Sequence, residues 1–374
     1  MANLGKRELV VIGAGVVGAS IAWGLARAGA RPLVLDEGDL APRASRANHA
    51  LVWVQGEGQG LAEYGLWTLG SARRWPQLAA ELMAETGIDV DLSQRGGFNF
   101  CLSRAELDRK ARILDSVDRE TGGRASPFMV LDGKETRTRL PGVSAAVAGT
   151  IFCPDDGHVN VLRLFHALHA AMAVRGCEYR ACHGVEAIAP VTGGFRLTGS
   201  WGEVQAEKVV LAAGLGNERL APMVGLHSPL KRCKGQILVT EKCAPFFPYA
   251  SLLIIQTSEG GVLIGASKDP SSLSPATSQP INAVLAQRAL LVFPQLAALN
   301  LVRSWAGFRI KTPDEFPIYE QSASAPGAFV ATCHSGVCLA ANHALVLAPQ
   351  IQAGQLDAGL SPYSARRFRV PQDH

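Results

Sequence analysis

Residues 10–39 read VVIGAGVVGASIAWGLARAGARPLVLDEGD, with Gly13, Gly15 and Gly18 standing between an apolar run and a segment of helical periodicity. From Glu8 to Asp36 the pattern is strand, glycine turn, helix, strand: ELVVIGAG is apolar and β-rich, VVGASIAWGLARAG has helical spacing and stops at Gly29, and RPLVLD is extended. This is one βαβ unit. In such a unit Gly13 makes the turn, Gly15 lets the backbone approach a pyrophosphate, and Gly18 permits close packing of helix on sheet. The helix N-terminus turns oriented N–H groups and partial positive charge on the same anion. Asp36, at the end of the second strand, is placed to accept hydrogen bonds from ribose hydroxyls. A tight strand–helix turn with no ligand is the plainer alternative, and it leaves Asp36 without a purpose.

The composition agrees with an enzyme that handles a small molecule. At 374 residues the chain is expected to form two domains. With 48% hydrophobic and 18% charged residues it is no disordered chain, and a net charge of +4 is too dilute for a nucleic-acid surface. The first apolar segment is broken by Gly13, Gly15, Gly18 and Gly24 and has no cleavage site behind it, so neither a signal peptide nor direct membrane insertion is expected. The expected location is the cytoplasm. Eight cysteines form no C-x-x-C pair, which points to reduced, buried thiols and no metal site.

Further along, RGGFNFCLS reads as a strand, Arg104 to Thr121 as an amphipathic helix, and GTIFCPDDGHVN as a strand entering a polar loop where Asp155 and Asp156 look like turn formers. His158, His166 and His169 lie in or before the next helix, where structural roles are favoured. AEKVVLAAG ends at Gly214 before another helical start and looks like a second cofactor contact. GQILVTEK, SLLIIQT and GGVLIGASK suit an antiparallel sheet, and the basic cluster Lys231-Arg232-Lys234 reads as a solvated face, with a phosphate or partner contact as the alternative. A final helix follows CHSG.

Glycines alone do not separate FAD from NAD. The loop after Asp36, EGDLAPRASRANHALVWVQGEG, is too long and polar for an ordinary connection, and Ser45, Arg46 and Asn48 supply donors for a second phosphate or a flavin ring. Here the sequence resembles the FAD-dependent D-amino-acid oxidase family, through VIGAGVVGAS, the Ser45-Arg46 loop, DDGHVNVLRL, VVLAAGLGN, GQILVTE, GGVLIGASKD, WAGFRIKTPDEFPIYE and FVATCHSGVCLAANHALVLAPQI, in order and nearly end to end. ASRANHALVWVQGEG followed by ATCHSGV is most similar to the flavin β subunits of opine oxidases and D-hydroxyproline dehydrogenases.

The resemblance implies an α/β fold: a Rossmann-like (GR2-type) FAD-binding domain over 1–88, 149–225 and 300–374, and a substrate domain with a mixed or antiparallel sheet over 89–148 and 226–299. The implied cofactor is non-covalent FAD, contacted by Gly13, Gly15, Gly18, Asp36, Ser45, Arg46, Asn48, His49, Val185, Gly214, Ser335, Gly336 and Val337. His49 sits beside the flavin ring or in a solvated loop. Arg309 matches the family's carboxylate-binding arginine, whose fork fixes orientation as well as charge, and Ile254 and Gln256 lie on the expected pocket strand. The last helix would aim its N-terminus at the flavin C2 carbonyl, with His334 at that edge in an electronic or a merely structural role.

Two departures stand out. No cysteine occurs in WAGFRIKTPD, the segment through which monomeric sarcosine oxidases attach flavin, and Leu263 occupies the position of their oxygen-activating lysine, which implies poor reaction with oxygen. The implied activity is oxidation of the CH–NH bond of a D-amino acid or N-substituted amino acid by hydride transfer to flavin N5, with no side-chain acid–base pair required. The chain would work with FAD/iron–sulfur partner subunits, and reach a membrane only peripherally, through them. A free-standing oxidase and a non-catalytic electron-transfer or assembly subunit are the alternatives.

Overall fold

The computed structural model describes residues 2–38, 44–265, 267–272 and 274–368. The elements begin β1 (Ala2–Ile12), α1 (Val16–Arg27), β2 (Leu33–Leu35), β3 (Leu51–Val52), α2 (Ala62–Thr86), β4 (Gly97–Cys101), α3 (Arg104–Glu120), β5 (Met129–Asp132) and α4 (Gly133–Arg139). They continue β6 (Gly149–Cys153), β7 (Gly157–His158), α5 (Val161–Val174), β8 (Glu178–Arg180), β9 (Ala187–Val191), β10 (Gly194–Gly199), β11 (Gly202–Leu211), α6 (Asn217–Leu220), β12 (Lys231–Thr240), β13 (Ile254–Gln256) and β14 (Val262–Ile264). They end α7 (Gln279–Val292), β15 (Leu301–Lys311), β16 (Ile318–Gln321), β17 (Ala328–Thr332), α8 (Ala340–Asn342) and α9 (Ala348–Ala353), with a π turn (His343–Leu347) between the last two.

The larger sheet has the order β16-β17-β11-β1-β2-β8, and the β9–β10 hairpin extends it from β11. β1 lies inside, parallel to β11 on one side and to β2 on the other. Its apolar run is continuous because both faces are covered. Val11, Val34, Val210 and Phe329 face α1, α5 and the C-terminal helix, whereas Val10, Ile12, Leu33, Leu35 and Val209 face the β9–β10 hairpin and the 220–226 segment. α1 crosses the C-terminal helix closely at Gly24, where a Cβ would lie 2.2 Å from the Ala344 carbonyl oxygen. Glycine there sets the spacing.

The second half holds a sheet of order β13-β14-β12-β15 and a sheet of order β4-β6-β5, joined by a bridge between Gly97 and Ala250. Phe98, Phe100, Phe247 and Phe293 form the core between them. β15, expected to open the last FAD-domain segment, pairs along its length with β12, and β6, expected to begin the middle segment, pairs with β4 and β5. Antiparallel pairing claims both strands, β15 by the long and distant β12 and β6 by its nearer neighbours β4 and β5. β8, only three residues long, gave no periodicity in the sequence and adds an edge beside β2.

Two further expectations are corrected. Asp156 is no surface turn former: it is fully buried, its carboxylate accepts from the Val54 N–H (2.6 Å) and Gln55 Nε2 (2.6 Å), and burial pushes it up to about 7. Asp155 does lie nearer the surface and accepts from Ser126 Oγ at 2.7 Å. Of the basic cluster, Lys231 and Arg232 are exposed, but Lys234 is buried, with Nζ 3.3 Å from Ser272 Oγ.

Asp156 pins the segment after β3 to the second half of the molecule. Asp156→Ala leaves the Val54 N–H and the Gln55 amide without their acceptor, and at about 1–3 kcal/mol for each buried donor left unpaired it should lower stability by about 2–6 kcal/mol. Urea unfolding checks this: the midpoint should fall with the slope unchanged.

Candidate active site

The C-terminal ends of β1 and β2 open onto a cleft of two lobes. The smaller, about 260 Å3, is lined by Gly13, Gly15, Asp36, Val185 and Gly214; the larger, about 640 Å3, by Asn48, His49, Arg309, His334, Ser335, Gly336 and Val337 among others. Ser45, Val17, Ala44, Phe308, Ile310 and Cys333 border both, so the lobes are continuous.

The glycine turn behaves as its motif predicts. Gly13 has φ +101°, and a Cβ there would lie 2.4 Å from the Ala212 carbonyl oxygen; a Cβ on Gly18 would lie 1.9 Å from the Gly13 oxygen. Gly18 therefore packs under the turn. Asp36 accepts from the Ala14 N–H (2.7 Å) and the Gly38 N–H (3.0 Å), and the Ala14 carbonyl meets His169 Nε2 at 2.9 Å. His169 is thus structural, as expected. α1 has no N-cap side chain of its own; the Val16 N–H donates to Ser45 Oγ at 3.0 Å, a hydroxyl standing where an anion's oxygen would bind. A bare-backbone cradle at a helix N-terminus, a carboxylate at the end of β2 and a second, wider lobe fit the two halves of FAD.

In the larger lobe, Asn48 Oδ1 accepts from the Ala50 N–H (2.7 Å) across a left-handed Ala50 (φ +64°), a turn that delivers His49 to the cleft. The His49 ring fits only because residue 265 is glycine, where a Cβ would lie 2.6 Å from Nδ1. Neither ring nitrogen has a hydrogen-bond partner among the described residues, and burial, with Arg309 nearby, pushes His49 down to about 4. Arg309 donates from Nη1 to the Ser267 carbonyl (2.6 Å) and lies over Gly235, where any Cβ would collide with the guanidinium. Burial lowers its pKa, but a guanidinium stays charged. Burial, with Arg309 and Lys311 alongside, holds His334 at about 4.

The C-terminal helix starts later than the sequence reading had it, at Ala340, yet the Leu339 N–H already donates to the Ser335 carbonyl at 2.9 Å. The helical turn thus opens on the cleft through Ser335, Gly336 and Val337.

Three expected residues fall elsewhere. Ile254 is fully buried in the aromatic core, and Gln256 spends its amide on the Phe246 and Phe247 N–H groups and the Ala244 carbonyl, so neither lines the cleft. Arg46 does not line it either; its guanidinium lies 5.3 Å from the Phe165 ring centre. Leu263 is also absent from the wall, whereas Lys268 is part of it.

The sequence reading missed Gln55, Glu57 and Tyr64, which reach the larger lobe from the segment after β3 and the start of α2. Gln55 donates to Asp156 and to the Gly97 carbonyl (3.0 Å), and its Oε1 has no partner among the described residues. Burial pushes Glu57 up to about 7. The Gly56-Glu57-Gly58 triplet, both glycines at positive φ, was the available signal.

Comparison with known proteins agrees with this geometry. A subunit of the opine oxidase of Agrobacterium tumefaciens (strain Ach5) is 55% identical over 365 residues, 98% of each chain, and its counterpart from Rhizobium meliloti is 53% identical over a span of the same length. The crystal structure of glycine oxidase from Geobacillus kaustophilus superposes with a TM-score of 0.90 at 27% identity, covering 98% of this chain and 100% of that one. The FAD dependent oxidoreductase (DAO) pattern matches residues 8–350, and the chain belongs to that family.

Proposed function

We propose that this chain is the substrate-oxidising flavin subunit of an opine-type enzyme: it binds a carboxylate-bearing secondary or primary amine and oxidises its CH–NH bond. The observation that carries the reading is Arg309, a half-buried fork anchored on one nitrogen and set into the lobe onto which the C-terminal helix opens. The 55% identical relative, itself one subunit of an opine oxidase, together with glycine oxidase among the similar proteins, supports the reaction class and the assembly. FAD/iron–sulfur subunits are the partners proposed.

FAD, bound along Gly13, Gly15, Asp36, Ser45, Val185 and Gly214 and bordered by Asn48, His49, Ser335, Gly336 and Val337, supplies the acceptor for a hydride. The chain's own work is placement. Arg309 grips the carboxylate through parallel hydrogen bonds and so fixes the C–H direction. N–H groups at the start of the C-terminal helix stabilise negative charge arriving at that end of the cleft. His49 and Gln55 offer the unpaired nitrogens and oxygen that a bound molecule can satisfy. The resulting imine is hydrolysed by water, or stays cyclic if the substrate is a proline.

An anaerobic panel of octopine, nopaline, D-hydroxyproline and simple D-amino acids, read by bleaching of flavin absorbance, tests the reading. Bleaching by at least one is expected; none at all would leave an electron-transfer or assembly subunit, and fast recovery in air would make the chain a free-standing oxidase.

Two variants sharpen this. Gly15→Val places a branched side chain toward Ser45, where a Cβ alone comes within 2.9 Å of Oγ, and should yield protein without FAD, measured as the ratio of flavin to protein absorbance. Arg309→Lys keeps the charge but loses the fork. FAD content should stay normal while kred/Kd for a carboxylate substrate falls by about 2–5 kcal/mol, the range for breaking one side of a buried charged pair. An amine without a carboxylate should be nearly indifferent; equal slowing of both would make Arg309 structural.

A further inference from the structure

Oxidation of a CH–NH bond by hydride loss needs the nitrogen lone pair, and an aliphatic ammonium, with a pKa near that of lysine at about 10.4, holds its proton at neutral pH. Either the enzyme waits for the scarce neutral amine or a group in the cleft takes the proton. We propose that Glu57 takes it, forming the neutral amine on the enzyme. This rests on the function proposed above and adds a catalytic residue to it.

Elimination within the lobe supports Glu57. Asp314 is bound by Arg367 through contacts of 2.7 and 3.1 Å and also takes the Phe316 N–H. Glu315 is paired with Lys311. His49 and His334 are both held near 4, too weak to strip an ammonium. Glu57 lines the lobe without an ion pair at contact distance among the described residues. It is presented deliberately: Gly56 and Gly58 flank it at φ +74° and +94°, and Gly58 packs so tightly on α2 that a Cβ would lie 2.4 Å from the Gly65 nitrogen. Arg309 and Glu57 come from different walls, β15 and the segment after β3, so the lobe offers a guanidinium and a carboxylate from separate elements. That is the complement of an amino-acid zwitterion.

The groups facing Glu57 tune it. Burial raises its pKa, Tyr64 of α2 lowers it by a hydrogen bond, Lys268 after β14 and Lys311 of β15 lower it by charge, and Glu315 raises it, leaving about 7. A base titrating near the working pH is the most effective kind. Tyr64 Oη also lies 3.2 Å from Ser335 Oγ, which ties the Glu57 neighbourhood to the loop opening the C-terminal helix.

The step balances. The Glu57 carboxylate and the substrate ammonium become a carboxylic acid and a neutral amine; the C–H pair then leaves as hydride to FAD, the amine becomes an iminium ion, and the Glu57 proton passes to solvent.

Two measurements on the FAD-loaded protein test it. The first follows kred/Kd with pH: the wild type should rise through about pH 7, and Glu57→Gln should lose that limb, falling about a hundredfold at pH 7 and recovering as pH approaches the substrate's own pKa. The second needs no turnover. Calorimetry with 2-aminoisobutyrate, which has no C–H beside nitrogen, in buffers of different ionisation enthalpy counts protons released on binding. For the wild type the count should fall from nearly one to nearly zero as pH rises through about 7, because only an already protonated Glu57 forces a proton out; for Glu57→Gln it should not change across that window. Tyr64→Phe removes a bond that lowers the Glu57 pKa and should move both midpoints to higher pH, so the idea stays testable if Glu57→Gln folds poorly. Bleaching and binding with pH profiles unchanged in the variants would overturn the role of Glu57 alone. No bleaching and no binding with any amine would overturn it together with the proposed function.

Discussion

One peptide unit holds the nucleotide end of this molecule together. Ala14 gives its N–H to Asp36 of the β2 end and its carbonyl to His169 of α5, so the turn between β1 and α1 is clamped by two elements far away in the chain. Just beyond the clamp, Ser45 Oγ accepts from the Val16 N–H. A helix N-terminus binds an anion only if its position is fixed before the ligand arrives, since mobility would return the gain as ordering entropy. The apolar burial of β1 on both faces supplies the rigid floor.

A second clamp works at the other end of the cleft. Asp156, buried between the sheets, holds Val54 and Gln55, and the chain beyond them carries Glu57 and Tyr64 to the lobe. Gly97 makes this possible, because a Cβ there would fall 2.7 Å from the Asp156 side chain. A buried carboxylate is costly in its charged form even with two short donors, which is why burial raises its pKa so far. The cost is accepted where a loop between two halves must stay in one register.

The features legible in the sequence are the local ones. The βαβ turn and the place of Asp36 follow from spacing and from segments that keep their own geometry, whereas Arg309 was reached through the family resemblance. Gln256 was misread because a polar residue on an apolar strand invites a binding role, whereas here its amide closes the backbone of the 243–247 loop, a need visible only once that loop is folded. The contact of the Arg46 guanidinium with the face of Phe165 was likewise illegible, since Phe165 lies on a helix more than a hundred residues away in the chain. Glu57 escaped notice because a carboxylate between glycines normally reads as a solvated loop tip. Its inward placement depends on Gly58 closing against Gly65, a contact with no sequence period. The pairing of β15 with β12 was not legible, because β12 lies some seventy residues upstream.

The electrostatics of the larger lobe then follow from what it lacks. Both histidines at the wall are held neutral, by burial first and by Arg309 second, so Arg309 does not share a bound carboxylate with a second buried cation on that side. Lys311 is neutralised by Glu315. With Lys268 as the other cation named in the wall, Arg309 is the guanidinium there, and its planar fork attracts a carboxylate in one pose, whereas point charges alone would bind anions in many poses and lose direction. Neutral imidazoles contribute hydrogen bonds without adding charge, which lets negative charge build toward the C-terminal helix rather than being trapped at the wall. Lowering those two pKa values therefore serves orientation: it leaves Arg309 to decide where the carboxylate sits, and hence which C–H bond faces the acceptor.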